Sequence, residues 1–289
     1  MTSNRTAGVV LVGVDASPQA RSAADWAAAE AERHGWDLKL LHVVDAGALR
    51  LLGTGGLSEA ADRAVQEADT MLHSAVHALT QRRPSMVVNA TVVRGSPAAA
   101  ILDAAEDTAM VVLGTRGHGG FAGLLLGSVS RRVAAHATRP VVVVRDPVGG
   151  PARRPVVAGV RDERDTDAVR FALAEGAVRN VPVRLIHAWT PIVHSGVMVP
   201  PIDMDEERRL HARVLNHAAR PIMEYPQVHV DTEVIIGPAA ATLVDASSHA
   251  GLLVVPRHPP AERLGLRLGS VVHAVLHHAH CPVAVVPIP

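Results

Sequence analysis

The sequence predicts an α/β protein of two tandem doubly wound domains, each built on a five-stranded parallel sheet covered by helices on both faces. Three observations carry this. Apolar runs alternate with helical segments, the whole plan occurs twice at matching spacing, and a proline- and glycine-rich stretch separates the copies. The spacing is specific: Gly95 to Gly114 spans nineteen residues and so does Gly237 to Pro256, while Ser128-Val129 before Pro140 parallels Ser270-Val271 before Pro282.

In the first copy, Val9–Asp15 is an apolar run. An alanine-rich helix, Ala20–His34, follows Ser17-Pro18, a hydroxyl and a proline suited to a helix start. Leu38–Val44 is the next strand, and residues 45–57, with four glycines, form a loop. A long amphipathic helix from about Ser58 to Gln81 leads to a strand at Met86–Val93. A helix after Pro97 precedes the buried run Met110–Leu113, and Pro140–Val144 closes the copy. The stretch from Asp146 to Pro155 has no apolar period and reads as a linker. Residues 1–146 are thus assigned to the first domain, 147–155 to the linker and 156–289 to the second domain. The second copy runs Val156–Val160, a helix Asp165–Arg179, Val183–His187, and a loop holding Pro191, Pro200 and Pro201. A helix Asp205–Met223, a strand Val228–Ile236, a helix after Pro238, Leu252–Val255 and Val283–Val286 complete it.

Composition narrows function. A chain of 289 residues, 48% hydrophobic, can bury two cores. Its 28 basic and 28 acidic side chains balance and aromatics make up 2%, which argues against a nucleic-acid partner. The single cysteine, Cys281, rules out an intramolecular disulfide and suits a reducing cytosol. Neither a signal peptide nor a membrane span is evident, so the expectation is a cytoplasmic protein without a membrane partner. Lys39 is the only lysine and sits far from any glycine loop, which disfavours P-loop NTPases, protein kinases and Schiff-base enzymes. There is no G-x-S-x-G elbow for a serine hydrolase.

The chemistry concentrates after the run Met110–Leu113. Gly114 and Gly117 allow a tight turn and close approach to a ligand, and Gly127-Ser128 opens a helix whose free N–H groups favour an anion. The pattern is G-x2-G-x9-G-S. With Val12-Gly13-Val14-Asp15-Ala16-Ser17 and Val93-Arg94-Gly95-Ser96-Pro97, it resembles the ATP-binding branch of the universal stress protein family, over nearly the whole chain.

That resemblance implies strand order 3-2-1-4-5 and a crevice between the first and fourth strands, where Asp15 faces the Gly114 loop. It places Gly13 and Asp15 beside the nucleoside, with Asp15 on the ribose hydroxyls, and Val43 where the backbone reads adenine. Gly114 and Gly117 give close approach, and Gly127, Ser128 and Val129 cradle phosphates. Arg116 could neutralise phosphate charge, although the family fixes no arginine there and a solvated loop arginine is the plainer reading. Asp15 and Ser17 could each instead cap the following helix. The implied cofactor is ATP, with or without magnesium.

The second copy departs from the pattern where ligand chemistry would lie. Gly114 and Gly117 correspond to Pro256 and Pro259, which lack an N–H and add a ring, and Asp15 corresponds to Arg161. One competent site, in the first domain, is expected, with the second domain's site degenerate. Gly117–Ala122 fits a loose dinucleotide fingerprint but follows the wrong strand. His273 and His277 have i, i+4 spacing that invites a metal reading. However, His278 recurs as His136 at a helix end, which favours a capping role and no metal site. Cys281 reads as a buried turn residue.

In the family, single-domain members pair through their closing strand. The resemblance therefore implies an intramolecular pseudo-dimer through Val141–Val144 and Val283–Val286, with homodimerisation through another face left open. The expected function is an ATP-binding, nucleotide-dependent sensor or regulator of the stress response, acting on a regulatory protein partner. At most it hydrolyses ATP weakly, since no convincing general base or metal carboxylate pair is seen. The alternatives are an interaction scaffold with a vestigial site, or an adenylate-transferring enzyme.

Overall fold

The computed structural model describes residues 8–45, 57–117, 125–145, 153–191, 203–259 and 268–289. The loop 46–56, most of the linker, the fingerprint residues 118–122 and the proline loop at 192–202 lie outside them. The chain divides into two compact units, residues 1–148 and 149–289.

In the first unit the order is β1 (Val9–Gly13), α1 (Pro18–His34), β2 (Asp37–Val44), α2 (Leu57–Arg82), β3 (Val88–Arg94), α3 (Pro97–Ala105), β4 (Met110–Gly114), α4 (Ser128–His136) and β5 (Val141–Val144). All strand pairs are parallel, in the order β3-β2-β1-β4-β5 expected from the resemblance. Val10 stands opposite Leu38 on one side and Met110 on the other. Strand order reverses between β1 and β4, which leaves a crevice beyond their carboxyl ends. Val10, Leu11 and Val12 are wholly buried, each contributing about 1.5–3 kcal/mol by leaving water.

Helix α1 shows how the site is held. Ser17 caps it, its hydroxyl accepting the Ala20 N–H at 3.1 Å, and Pro18 occupies the first turn. Gly35 ends it at φ 67°, a left-handed position that suits glycine. Its inner face is mostly alanine (Ala20, Ala23, Ala27, Ala31), so the helix lies close on the sheet. A Cβ at Gly114 would meet the Gln19 backbone at 2.8 Å, so glycine is required where α1 crosses the end of β4.

The second unit repeats the plan: β6 (Val156–Gly159), α5 (Thr166–Arg179), β7 (Val183–Trp189), α6 (Met204–Ala218), β8 (Val230–Ile236), α7 (Ala239–Ser247), β9 (Leu252–Arg257), α8 (Ser270–His278) and β10 (Val283–Pro287). Its strands pair in parallel as β8-β7-β6-β9-β10.

Some boundaries differ from the sequence reading. The helix expected over Asp205–Met223 stops at Ala218 and passes into a 3-10 turn, Arg220–Glu224. Pro221 explains this, since it has no N–H to donate and its ring crowds the preceding turn. Strands β3 and β8 begin two residues late because the N–H groups of Met86 and Val228 are taken by turn carbonyls, those of Arg83 and Tyr225. In the other direction, β7 continues to Trp189 and β9 to Arg257.

A histidine relay spans the second unit. His187 Nδ1 lies 2.9 Å from the Val160 carbonyl, which can only accept, so Nδ1 carries the proton. His187 Nε2 must then accept from His211 Nδ1 at 2.7 Å. His211 stacks on Trp189 with centroids 4.2 Å apart, and its Nε2 lies 3.7 Å from the Glu207 carboxylate. Burial, followed by the neighbouring His187, holds His211 below the ordinary value of 6.5, with Glu207 opposing more weakly. The unfolded chain therefore binds the proton more readily than the folded one. This contribution to stability is complete above pH 6.5 and is lost as pH falls through the lowered folded value. Chemical denaturation across that range should show a steeper acid loss in the native chain than in His211→Phe, which keeps the stacking and cannot titrate. Equal slopes would exclude the relay as a source of the dependence.

Candidate functional site

The carboxyl ends of β1, β2 and β4, with the starts of α3 and α4, enclose a cavity of about 430 Å³. All nine residues singled out from the sequence line it: Gly13, Asp15, Val43, Gly114, Arg116, Gly117, Gly127, Ser128 and Val129. The fold brings them together because each lies at or just beyond a strand end, or on the first turn of α4.

Asp15 and Gly117 meet in the wall of the cavity. The Asp15 carboxylate accepts the Ser17 N–H through Oδ1 at 2.9 Å, while Oδ2 stands 2.5 Å from where a Cβ on Gly117 would be. The residue therefore braces the entry to α1 with one oxygen and meets the glycine loop with the other. Helix capping itself falls to Ser17. Gly13 is needed for packing, since a Cβ there would meet Leu113 at 2.5 Å and Ile101 at 3.1 Å.

The α4 start is an anion-facing terminus, with one correction to the sequence reading. The Gly127 N–H donates to the Thr115 carbonyl at 2.7 Å and is not available to a ligand. Gly127 serves the turn, where a Cβ would crowd Thr115 O at 3.3 Å. The donors that remain are the N–H groups of Ser128, Val129 and Ser130, which have no intrahelical acceptor. A negative group placed there gains about 0.3–1 kcal/mol from the helix dipole. Ser130 ties the turn to the sheet, its hydroxyl donating to the Gly114 carbonyl at 2.7 Å.

Arg116 is half-buried beside the cavity, and its carbonyl accepts the Ser17 hydroxyl at 3.5 Å. Burial and then the Arg116 guanidinium push Arg145 below the usual arginine range, so two cations lie close together here.

Sequence reasoning missed His42, which also lines the cavity. Its Nδ1 donates to the Val14 carbonyl at 2.8 Å and so fixes the backbone directly before Asp15. The signal lay in the repeat, because His187 makes the matching bond to Val160 in the second unit.

The second unit has its own cavity, of about 640 Å³, at the corresponding place. Pro256 and Pro259 line it and do not fill it. Arg161 occupies the position of Asp15, since each follows the residue held by the bracing histidine. Asp165, fully buried, accepts the N–H groups of Arg161 and Asp162 through Oδ2. Its Oδ1 approaches His258 Nε2 at 2.7 Å, an ion-pair distance without hydrogen-bond alignment. Asp162 Oδ2 lies 3.9 Å from the other ring nitrogen, Nδ1. The hydrogen bond from Arg164 holds the Asp162 carboxyl below the usual range. Asp162, Asp165 and His258 are close enough to be considered as metal ligands, but the carboxylates meet opposite ring nitrogens. The two carboxylates flank the imidazole, and one ligand atom from each of the three residues lies within 4.8 Å of the others.

Elsewhere, α4 and α8 end at His136 and His278, as expected for residues at a helix C-terminus, and the His273 and His277 rings lie 4.4 Å apart. Burial pushes the Cys281 thiol up to about 12, so it stays protonated and unreactive. No helix among the described residues is long and apolar enough to cross a membrane.

A family profile for the universal stress protein family matches residues 7–145 and again 152–287. A universal stress protein of Mycobacterium tuberculosis is 30% identical over 314 aligned residues, covering 100% of this chain and 98% of its own. One of Mycolicibacterium smegmatis is 30% identical over 302, covering 99% of each. The crystal structure of a universal stress protein from Archaeoglobus fulgidus superposes with a TM-score of 0.71 at 15% identity, covering 97% and 96% of the two chains, and supports the fold. With both halves matched and relatives aligned from end to end, the chain belongs to the universal stress protein family and carries the family domain twice.

Proposed function

We propose that the first unit binds ATP in the cavity between β1 and β4 and that the protein works as a nucleotide-dependent sensor or regulator in the stress response. The observation that carries this is the convergence of Asp15, Gly117 and the free Ser128 and Val129 amides on one cavity. Its volume, about 430 Å³, falls within the range of small-molecule sites. Each end of a nucleotide finds suitable chemistry. The Asp15 carboxylate accepts ribose hydroxyls, the Val43 backbone reads the adenine edge, and the α4 amides with Arg116 take the phosphates. Magnesium, where present, would offset phosphate charge beside Asp15. Occupancy would then shift the protein between states that a regulatory partner distinguishes, as any ligand with unequal affinity for two states must.

The test is mass spectrometry of small molecules released from freshly purified native chain, followed by titration with ATP. An adenine nucleotide in the released fraction supports the proposal, and a chain that neither carries nor takes up one contradicts it.

A further inference from the structure

The two cavities occupy the same place in the same fold and differ in chemistry. Where the first unit presents the Asp15 carboxylate, the second presents the Arg161 guanidinium, so the formal charge at that wall goes from −1 to +1. Arg164 is committed to Asp162, with contacts of 3.2 and 2.9 Å. Arg161 makes no ion pair among the described residues, and its backbone N–H is turned onto Asp165. Among the described residues its guanidinium is thus the free cation of this cavity, and being a donor only, it cannot accept a ribose hydroxyl.

The remaining wall is largely hydrocarbon: Val160, Ile186, Leu243, Val255 and Val272, with the rings of Pro256 and Pro259 in place of the first unit's glycines. At one edge α8 opens at Ser270, and neither Gly269 nor Ser270 caps it with a side chain. Gly269 reaches that start at φ 68°, a conformation left to glycine, whereas Gly127 has φ −72°. His258 is a further polar group in the wall. Only 6% of its side chain is exposed, and its Nδ1 has no hydrogen-bond partner. A roomy apolar chamber with one uncommitted arginine and an open helix start suits a molecule with a hydrocarbon body and a single anionic head.

We propose that the second unit binds an amphipathic anion, an aliphatic or aromatic body bearing one carboxylate, phosphate or sulfonate group, with the head on Arg161 and the α8 amides and the body against Leu243 and Val255. The site is distinct from the nucleotide site in both place and ligand class, and it stands whether or not the first unit binds ATP.

The probe is 8-anilinonaphthalene-1-sulfonate, an aromatic body with one sulfonate, titrated by fluorescence into the full-length native chain. One saturable site is expected, weakened about tenfold or more by Arg161→Glu and abolished by Ala188→Trp, which places an indole in the chamber. Arg161 is exposed and free of ion pairs, so Arg161→Glu should melt as the native chain does. Arg161→Lys should retain binding. Octanoate and octyl phosphate should displace the probe, the tighter of the two identifying the head group, while octanol at matched concentration should not. Displacement by octanol as effective as by octanoate would overturn the assignment. So would native-like binding in both Arg161→Glu and Ala188→Trp, or displacement by ATP in a Gly117→Ala background.

Discussion

Gly117→Ala should weaken ATP binding by about 10- to 100-fold while leaving the melting temperature of the chain nearly unchanged. The added methyl would sit 2.5 Å from Asp15 Oδ2, closer than real contacts allow, so one of the two must yield. The atom it meets is the tip of a side chain, not backbone, so rotating Asp15 aside relieves the clash at a cost to the fold of no more than the Ser17 N–H bond, about 1 kcal/mol. The cost instead falls on the ligand. The displaced carboxylate no longer reaches the nucleoside, and hydrogen bonds to a charged group contribute about 1.5–3 kcal/mol. At 1.4 kcal/mol per decade, that gives the stated range. Gly114→Ala would be a poor substitute, because its methyl meets Gln19 backbone and any loss of binding would be confounded by unfolding. Calorimetric titration beside a thermal melt separates the two effects. Native affinity in Gly117→Ala would remove Asp15 from the site.

The largest stability change is expected at Asp165, which sequence reading took only as the start of a helix. Its carboxylate is fully buried, receives two backbone N–H groups and contacts His258. Asp165→Ala leaves both donors and the imidazole without their acceptor. Breaking a buried interaction of this kind by removing one partner costs about 3–5 kcal/mol. At a few degrees per kcal/mol for a domain of this size, the second unit should melt about 10 °C or more below its native value. Asp165→Asn keeps an oxygen for the N–H groups and should recover part of the loss. A native-like melt for Asp165→Ala would show that the turn before α5 is held by other contacts.

These two residues mark the line between what the sequence revealed and what it hid. That Gly117, Asp15 and the rest of the nine would share one cavity was legible because strand ends and helix starts announce themselves: an apolar run stops, a glycine or acid follows, and a matching copy repeats the spacing. The duplicated plan likewise made the two parallel sheets legible. Asp165 was not, because its importance depends on His258, ninety-three residues away, where the first unit has Arg116. Nor could spacing show that Gly127 commits its N–H to Thr115, since hydrogen-bond direction is set by the turn and not by residue type. The bracing histidines His42 and His187 were hidden for a related reason. A histidine in an apolar strand has no local signature, and only the repeat distinguishes it. The Pro256 and Pro259 exchange was legible only in part. It marks the second site as degenerate for a nucleotide without saying what remains, and the structure keeps a cavity there, larger than the first and opposite in charge at the Asp15 position.

The most direct test of the asymmetry between the units is calorimetric titration of the native chain, Gly117→Ala and Arg161→Glu with ATP under identical conditions. The expected result is one ATP per native chain, unchanged stoichiometry and affinity in Arg161→Glu, and affinity reduced at least tenfold in Gly117→Ala. A native chain without measurable affinity, or ATP binding that survives Gly117→Ala intact and is lost in Arg161→Glu, would contradict it.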